Sequence, residues 1–205
     1  GRGMNAVGVD LFASKFTGLD LGEAVFDGCN LNGVAFFQCN LKGASFRGAS
    51  LTGACIKECK TEDADFTDAT FNGMRRWDDM KLPGIRPWSD VKRTVPAPFA
   101  LRMTVEQLKS TRSWKTKDLS DCVLQGLGGL DFQDMLLQDA TLAFSDLRDC
   151  NFQNASIDGL TLGHCTMRFE QVASTKAFAH GWPVKTHFRG VRFEGKCDFS
   201  GLDLS

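Results

Sequence analysis

His164 and Cys165 stand side by side, and an imidazole next to a thiol is the pair from which a nucleophile and its base are made. Neighbouring residues of an extended segment point to opposite faces, so Cys165 is expected inside and His164 in water, out of each other's reach. None of the three histidines, His164, His180 and His187, sits in a metal-ligand spacing with cysteine or aspartate. The glycines recur at fixed intervals instead of clustering as a phosphate-cradling loop requires, and the many aspartates flank Leu or Phe instead of facing one another as paired acids. No catalytic residue, cofactor or metal is expected, and the chain reads as a non-enzyme.

What these residues share is a period of five. In "FRGASLTGACIKECKTEDADFTDATFNG", residues 46 to 73, a bulky apolar side chain stands at Phe46, Leu51, Ile56, Phe66 and Phe71. The same step runs back through Leu41, Phe36, Leu31, Phe26, Leu21 and Phe16 to Leu11, with Thr61 its one polar member. Two residues before each centre comes a small side chain such as Ala24, Cys29, Ala44 or Ala64, and two after it often comes glycine. Neither the 3.6-residue helix nor the two-residue strand gives this lattice. A short extended segment with two inward side chains, followed by a glycine-tolerant corner, does give it. Stacked turns of that kind bury the inward residues and leave the polar ones outside.

The pattern, unbroken in "AVFDGCNLNGVAFFQCNLKGASFRGASLTG", resembles the pentapeptide-repeat family. The resemblance implies an all-β fold, a right-handed quadrilateral β-helix, with four units per coil and residues twenty apart stacked. Phe16 then lies under Phe36 and Ile56, Phe26 under Phe46 and Phe66, and Thr61 marks a weak or distorted corner. Seven of the eight cysteines (Cys29, Cys39, Cys59, Cys122, Cys150, Cys165 and Cys197) take the inward small position and read as core filler. Cys55 is the one thiol expected to face outward.

The lattice stops after Gly73. Residues 74 to 118 form a Pro/Trp-rich insert with Pro83, Pro87, Pro96 and Pro98, a density that argues against continued strand stacking. Its end, "TVEQLKSTRSWK", offers a short helix with Thr104 and Gln107 as a capping box and Val105, Leu108 and Trp114 on an apolar side. The period resumes at Leu119, slips by three residues through "GLGG", and runs to Met167. "RFEQVASTKAF", residues 168 to 178, echoes the first helix, and terminal repeats follow at Phe188, Phe193, Phe199 and Leu204. Four segments are therefore expected: a first array over 1–73, the insert over 74–118, a second array over 119–167, and a short helical insert with terminal repeats over 168–205. This larger unit is similar to long bacterial pentapeptide-repeat chains in which such a helix precedes each array.

Charge separates the segments. Residues 9–73 carry a net −4, 74–118 a net +6 and 119–205 a net −4. The basic insert interleaves Arg75, Arg76 and Arg93 with Trp77 and Trp88, a combination suited to an anionic or protein partner. The bland alternative is that the tryptophans close the ends of the core. The chain is expected to be a rigid β-helical scaffold or protein-interaction module whose partner the sequence does not name. The alternative that the resemblance implies is a DNA mimic acting on a nucleic-acid enzyme such as DNA gyrase. Duplex DNA carries a charge about every 1.7 Å, and an array of net −4 falls far short of that density. Direct nucleic-acid binding is not expected, nor is a membrane span, and unpaired thiols suit a cytoplasmic location. The family's habit of pairing through a terminal coil implies a homodimer through Phe199, Leu202 and Leu204.

Overall fold

The structure is a computed structural model, and it describes residues 1–72, 103–176, 178 and 185–197. The chain divides into two compact units, residues 1–101 and 102–205.

In unit 1 each coil spends twenty residues on four sides. On one side the strands β1 (Lys15–Thr17), β2 (Ala35–Phe37) and β3 (Cys55–Lys57) pair in parallel, with Phe16 opposite Phe36 and Phe36 opposite Ile56. The other three sides are joined by single parallel bridges such as Val25 to Ser45, Asn30 to Ser50 and Asn40 to Lys60. The corners explain why most sides are so short. The carbonyl of Phe26 accepts from the N–H of Cys29 at 3.1 Å, and this turn holds Gly28 at φ +64°, a conformation natural to glycine. Where the corner residue is not glycine it is mostly an acid or amide, such as Asp68 at φ +58° or Asn154 at φ +56°, whose side chains tolerate that region.

The inward residues stack as the period requires. Phe26, Phe46 and Phe66 form one column with ring centroids 5.2 and 5.0 Å apart, and Phe16 stacks on Phe36 at 5.0 Å. The two columns meet edge to face across the core, Phe26 to Phe36 at 5.8 Å. Leu21, Leu31, Leu41 and Leu51 fill the sides between and are buried, as are the small residues Ala24, Ala44, Ala49 and Ala69. Thr61 does not distort its corner. It is buried, and the bonds between coils run on past it, from Leu41 N–H to the Lys60 carbonyl at 2.8 Å and from Gly43 N–H to that of Glu62 at 2.9 Å.

Cys55 and Cys197 depart most from the expected pattern, and Cys59 is only half-buried. Cys55 does sit at an outward position beside Ile56, yet only 4% of it is exposed, because the outer face of β2 and β3 is itself covered: Ala35 and Lys57 are buried there too. Burial pushes the Cys55 thiol up to about 11. Cys197 is exposed. A thiol reagent on native protein at neutral pH should therefore label one cysteine quickly, Cys197. Cys197→Ser is expected to abolish that fast phase and Cys55→Ser to leave it; the reverse result would show that the face over β3 is open.

Unit 2 opens with two short helices, α1 (Val105–Ser110) and α2 (Arg112–Lys115). The Thr104 hydroxyl accepts from Gln107 N–H at 3.1 Å while the Gln107 side-chain oxygen accepts from Thr104 N–H at 2.8 Å, completing the capping box. Leu108 is buried, and Trp114 meets the ring of Phe132 edge-on at 5.9 Å, closing the lower end of the column that Phe132 forms with Phe152. In this respect one tryptophan does close the core.

The strands β4 (Val123–Gln125), β5 (Thr141–Ala143) and β6 (Thr161–Gly163) then stack in parallel, beside β7 (Thr166–Arg168). The first coil is two residues short. Val123 pairs with Thr141 and Gly128 with Asp146, eighteen apart, whereas Asp131 pairs with Asn151, twenty apart. The lattice thus does not slip through "GLGG" but inserts a unit of three residues. Gly129 takes the central position, and Leu127 and Leu130, both buried, supply the missing core volume from the positions that small residues hold elsewhere. A Cβ on Gly128 would approach the Asp146 carbonyl oxygen to 2.8 Å, so the tightened side leaves no room for one.

One coil is long instead. Strands β8 (His187–Arg189) and β9 (Arg192–Glu194) pair with β6 and β7 at a separation of twenty-six residues. The extra length includes α3 (Phe169–Ala173), which occupies the side above Phe152, with Asn154 N–H bonded to the Ser174 carbonyl at 2.9 Å. Val172, five residues after Met167, is still in phase and buried. The echo between the helices is physical. Ser110 and Ser174 donate to the carbonyls of Gln107 and Gln171, and Thr111 and Thr175 to those of Leu108 and Val172.

Candidate interaction surfaces

The outer surface of the coils includes the residue before each centre. Asp10, Asp20, Asn30 and Asn40 each turn a side-chain oxygen back onto the N–H two residues on, which fixes the corner that follows. Vertically, the Asn30 amide donates to Asp10 at 3.0 Å and the Asn40 amide to Asp20 at 2.9 Å. Alternating acid and amide avoids stacking two carboxylates. The Gly22 N–H and the Asn40 amide hold the Asp20 carboxyl below its ordinary range.

Cations are threaded among these acids. Arg2 meets Glu23 at 2.8 Å, Arg47 meets Asp65 at 2.9 Å and Lys117 meets Asp134 at 3.6 Å. Arg148 is shared between Asp146 at 2.6 Å and Glu194 at 3.2 Å, so it joins two coils separated by α3. Its guanidinium draws the Asp146 carboxyl down to about 2.

Beside this pair, α3 and the coil beneath it leave a cleft of about 340 Å³, lined by Arg148, Asp149, Asn151, Phe152, Arg168 and Glu170 among others. Opposite charges lie together here, with Arg168 3.8 Å from Asp149. His164 and Cys165 are separated as their alternation requires. Cys165 is buried, with its thiol pushed up by that burial, while His164 is exposed and stacks on Phe144 at 5.1 Å. Among the described residues no cluster of His, Cys, Asp and Glu could hold a metal ion, and no helix is long and apolar enough to cross a membrane.

A further surface lies at the first coil of unit 1. Val7, Val9, Phe12 and Leu19 are exposed by 58, 43, 65 and 44%, and Leu11 and Phe16 are half-buried. Val9 and Leu19 hold inward positions on a coil with nothing beneath it among the described residues. Val7 and Phe12 point sideways, at positions taken in the next coils by Asp27, Arg47 and Thr67 and by Asn32 and Thr52. The period of five already contains this signal, since it assigns Val7 and Phe12 to the outside. The partner-binding candidates Arg75, Arg76, Trp77, Trp88 and Arg93 and the dimer candidates Phe199, Leu202 and Leu204 all lie outside the described residues.

A parallel solenoid of four-sided coils, with a core of stacked Phe and Leu and a mixed-charge outer surface, is the class that this geometry defines. The family model for pentapeptide repeats matches residues 7–43, 29–68, 44–75 and 129–168, eight copies covering more than half of the chain. The chain belongs to the pentapeptide-repeat family, and its fold is the right-handed quadrilateral β-helix of that family. No curated protein sequence matches it. Similar solved structures include HetL, a pentapeptide repeat protein involved in heterocyst differentiation regulation from the cyanobacterium Nostoc sp. strain PCC 7120, at 12% identity, covering 90% of this chain and 87% of that one with a TM-score of 0.36. Full-length QnrB1, a plasmid-mediated fluoroquinolone resistance protein, is 14% identical over 94% of this chain and 92% of its own, with a TM-score of 0.34. A pentapeptide repeat protein from the Arabidopsis thaliana thylakoid lumen is 13% identical over 77% and 67%, with a TM-score of 0.24.

Proposed function

We propose that the protein is a non-enzymatic scaffold that binds other proteins through the outside of its coils. The observation that carries this reading is the apolar first coil. Four of the six large apolar residues exposed among the described residues gather there, two of them at lateral positions where the core has no use for them. Contiguous apolar surface of that kind marks interaction sites. The ion pairs that thread cations among the acids speak against imitation of duplex DNA, which needs one sign of charge.

The test is quantitative capture of partners from the source cell by the full chain and by Val7→Asp/Phe12→Asp. Loss of a partner with an unchanged melting temperature is the expected result, and equal recovery by both proteins would refute the reading. A parallel arm replaces Arg75, Arg76 and Arg93, which we propose as a second partner-binding group with Trp77 and Trp88 because the insert carries a net charge of +6. Loss of stability in that arm would show the insert to be a structural cap.

A further inference from the structure

Cysteine recurs at the inward small position, yet among the described residues one pair alone stacks cysteine on cysteine: Cys39 and Cys59, twenty residues apart on adjacent coils. Cys29, by contrast, has Val9 and Ala49 for its neighbours in the stack. The register on either side of the pair is fixed, because Phe37 lies opposite Lys57 in the ladder of β2 and β3 and Asn40 is bridged to Lys60. Backbones paired in this way run about 4.8 Å apart. That spacing falls inside the roughly 4.4–6.8 Å between Cα atoms that a disulfide spans.

The side chains meet as well. The Cys59 Sγ accepts from the Cys39 N–H at 3.3 Å, which places it between the two coils, and the two thiols lie within hydrogen-bonding reach of each other. Each thiol donates to the carbonyl two residues before it, Cys39 to Phe37 at 3.4 Å and Cys59 to Lys57 at 3.2 Å. The two therefore share one orientation, and bringing sulfur to sulfur takes a rotation of Cys39 about its Cα–Cβ bond. Access differs within the pair: Cys39 is buried and Cys59 half-buried, so a reagent reaches Cys59 first.

We propose that Cys39 and Cys59 form a dithiol site that a small-molecule disulfide oxidises to a covalent bond between coils. The Cys59 thiolate attacks one sulfur of the small disulfide, forming a mixed disulfide at Cys59 and releasing one small thiolate. The Cys39 thiolate then attacks Cys59 Sγ, and the second small thiolate leaves. Two cysteine thiols give up two protons and two electrons, and the small disulfide takes them up as two thiols. Burial pushes the Cys59 thiol up to about 12, so little thiolate is present at neutral pH and the first step is slow. The product ties adjacent coils across a junction otherwise held by the stacked core and by backbone bonds such as that from Lys60 N–H to the Cys39 carbonyl at 3.0 Å.

The experiment uses the full chain carrying Cys197→Ser, which removes the exposed thiol. The protein is held with oxidised glutathione at mildly alkaline pH, quenched with acid, unfolded in the presence of an alkylating reagent and cut with trypsin. The expected product is peptide 16–42, which contains Cys39, joined to peptide 58–60, which contains Cys59. The joined species should vanish in Cys39→Ser and in Cys59→Ser and persist in Cys29→Ser and Cys55→Ser. Serine already holds the inward small position at Ser14 and Ser145, and alanine at Ala24 and Ala44, so Cys39→Ala serves as a second variant should Cys39→Ser fail to fold. Glutathione retained on Cys59 without the cross-link would show that Cys39 does not reach it, and overturns the proposal. Peptide 48–57 joined to 58–60 would assign the bond to Cys55 and also overturns it, as does recovery of both thiols unmodified.

Discussion

Phe46→Ala is expected to lower the stability of unit 1 by ~3–5 kcal/mol, while Arg47→Ala, one residue on, should leave it nearly unchanged. Phe46 is fully buried, with Phe26 at 5.2 Å below, Phe66 at 5.0 Å above and Phe36 edge-on at 6.0 Å. Removing its ring leaves three aromatic faces without a partner. The backbone cannot close the gap, because Phe46 N–H is bonded to the Asp65 carbonyl at 2.7 Å and Phe26 N–H to that of Ser45 at 2.7 Å, which pins the coils above and below. Arg47 forms an exposed pair with Asp65, and such pairs contribute little. Denaturant unfolding of the two variants decides the matter. Equal losses would mean that the five-residue phase is assigned wrongly.

The second large effect is expected at Gln171. Its side-chain nitrogen donates to the carbonyls of Leu147 and Cys150, both at 2.5 Å, and approaches that of Arg148 at 3.3 Å, while its oxygen accepts from Arg168 N–H at 2.6 Å. One amide thus binds α3 to the corner of the coil below. Gln171→Leu keeps the length and removes every bond, leaving carbonyls and an N–H unpaired at a half-buried site, a loss of about 2–4 kcal/mol in unit 2. Gln171→Glu should be at least as harmful, since a carboxylate would face those carbonyl oxygens. A change below about 0.5 kcal/mol in both would show that Phe169 and Val172 hold the helix without help.

The array of unit 1 was legible because one rule, repeated, fixes every residue's side: from the spacing of Leu11 to Phe71 follow the columns, the buried alanines and the corners. The helices were legible from Thr104 and Gln107, whose bonds are local. Two features were not. The three-residue unit at Gly129 exchanges the large and small positions, so Leu127 and Leu130 look out of phase until the coil is closed around them. Cys55 was placed on the correct face, but alternation says only which way a side chain points and not what lies over it. For the interaction surface, the phase assigned Val7 and Phe12 to the outside, yet charge drew attention to Arg75, Arg76 and Trp77 instead.

The direction of the bonds between coils also sets how the protein bears force. From Met4 to Asn72 these bonds run along the stacking axis, each coil holding only the ones directly above and below. Tension along that axis loads one coil junction at a time, as a zip is loaded, and not all of them together. Each opened coil of twenty residues pays out about 70 Å of chain where it had spanned about 4.8 Å. In unit 2 the short and long coils would pay out less and more than that, so under load each step in extension carries the signature of the coil that gave way.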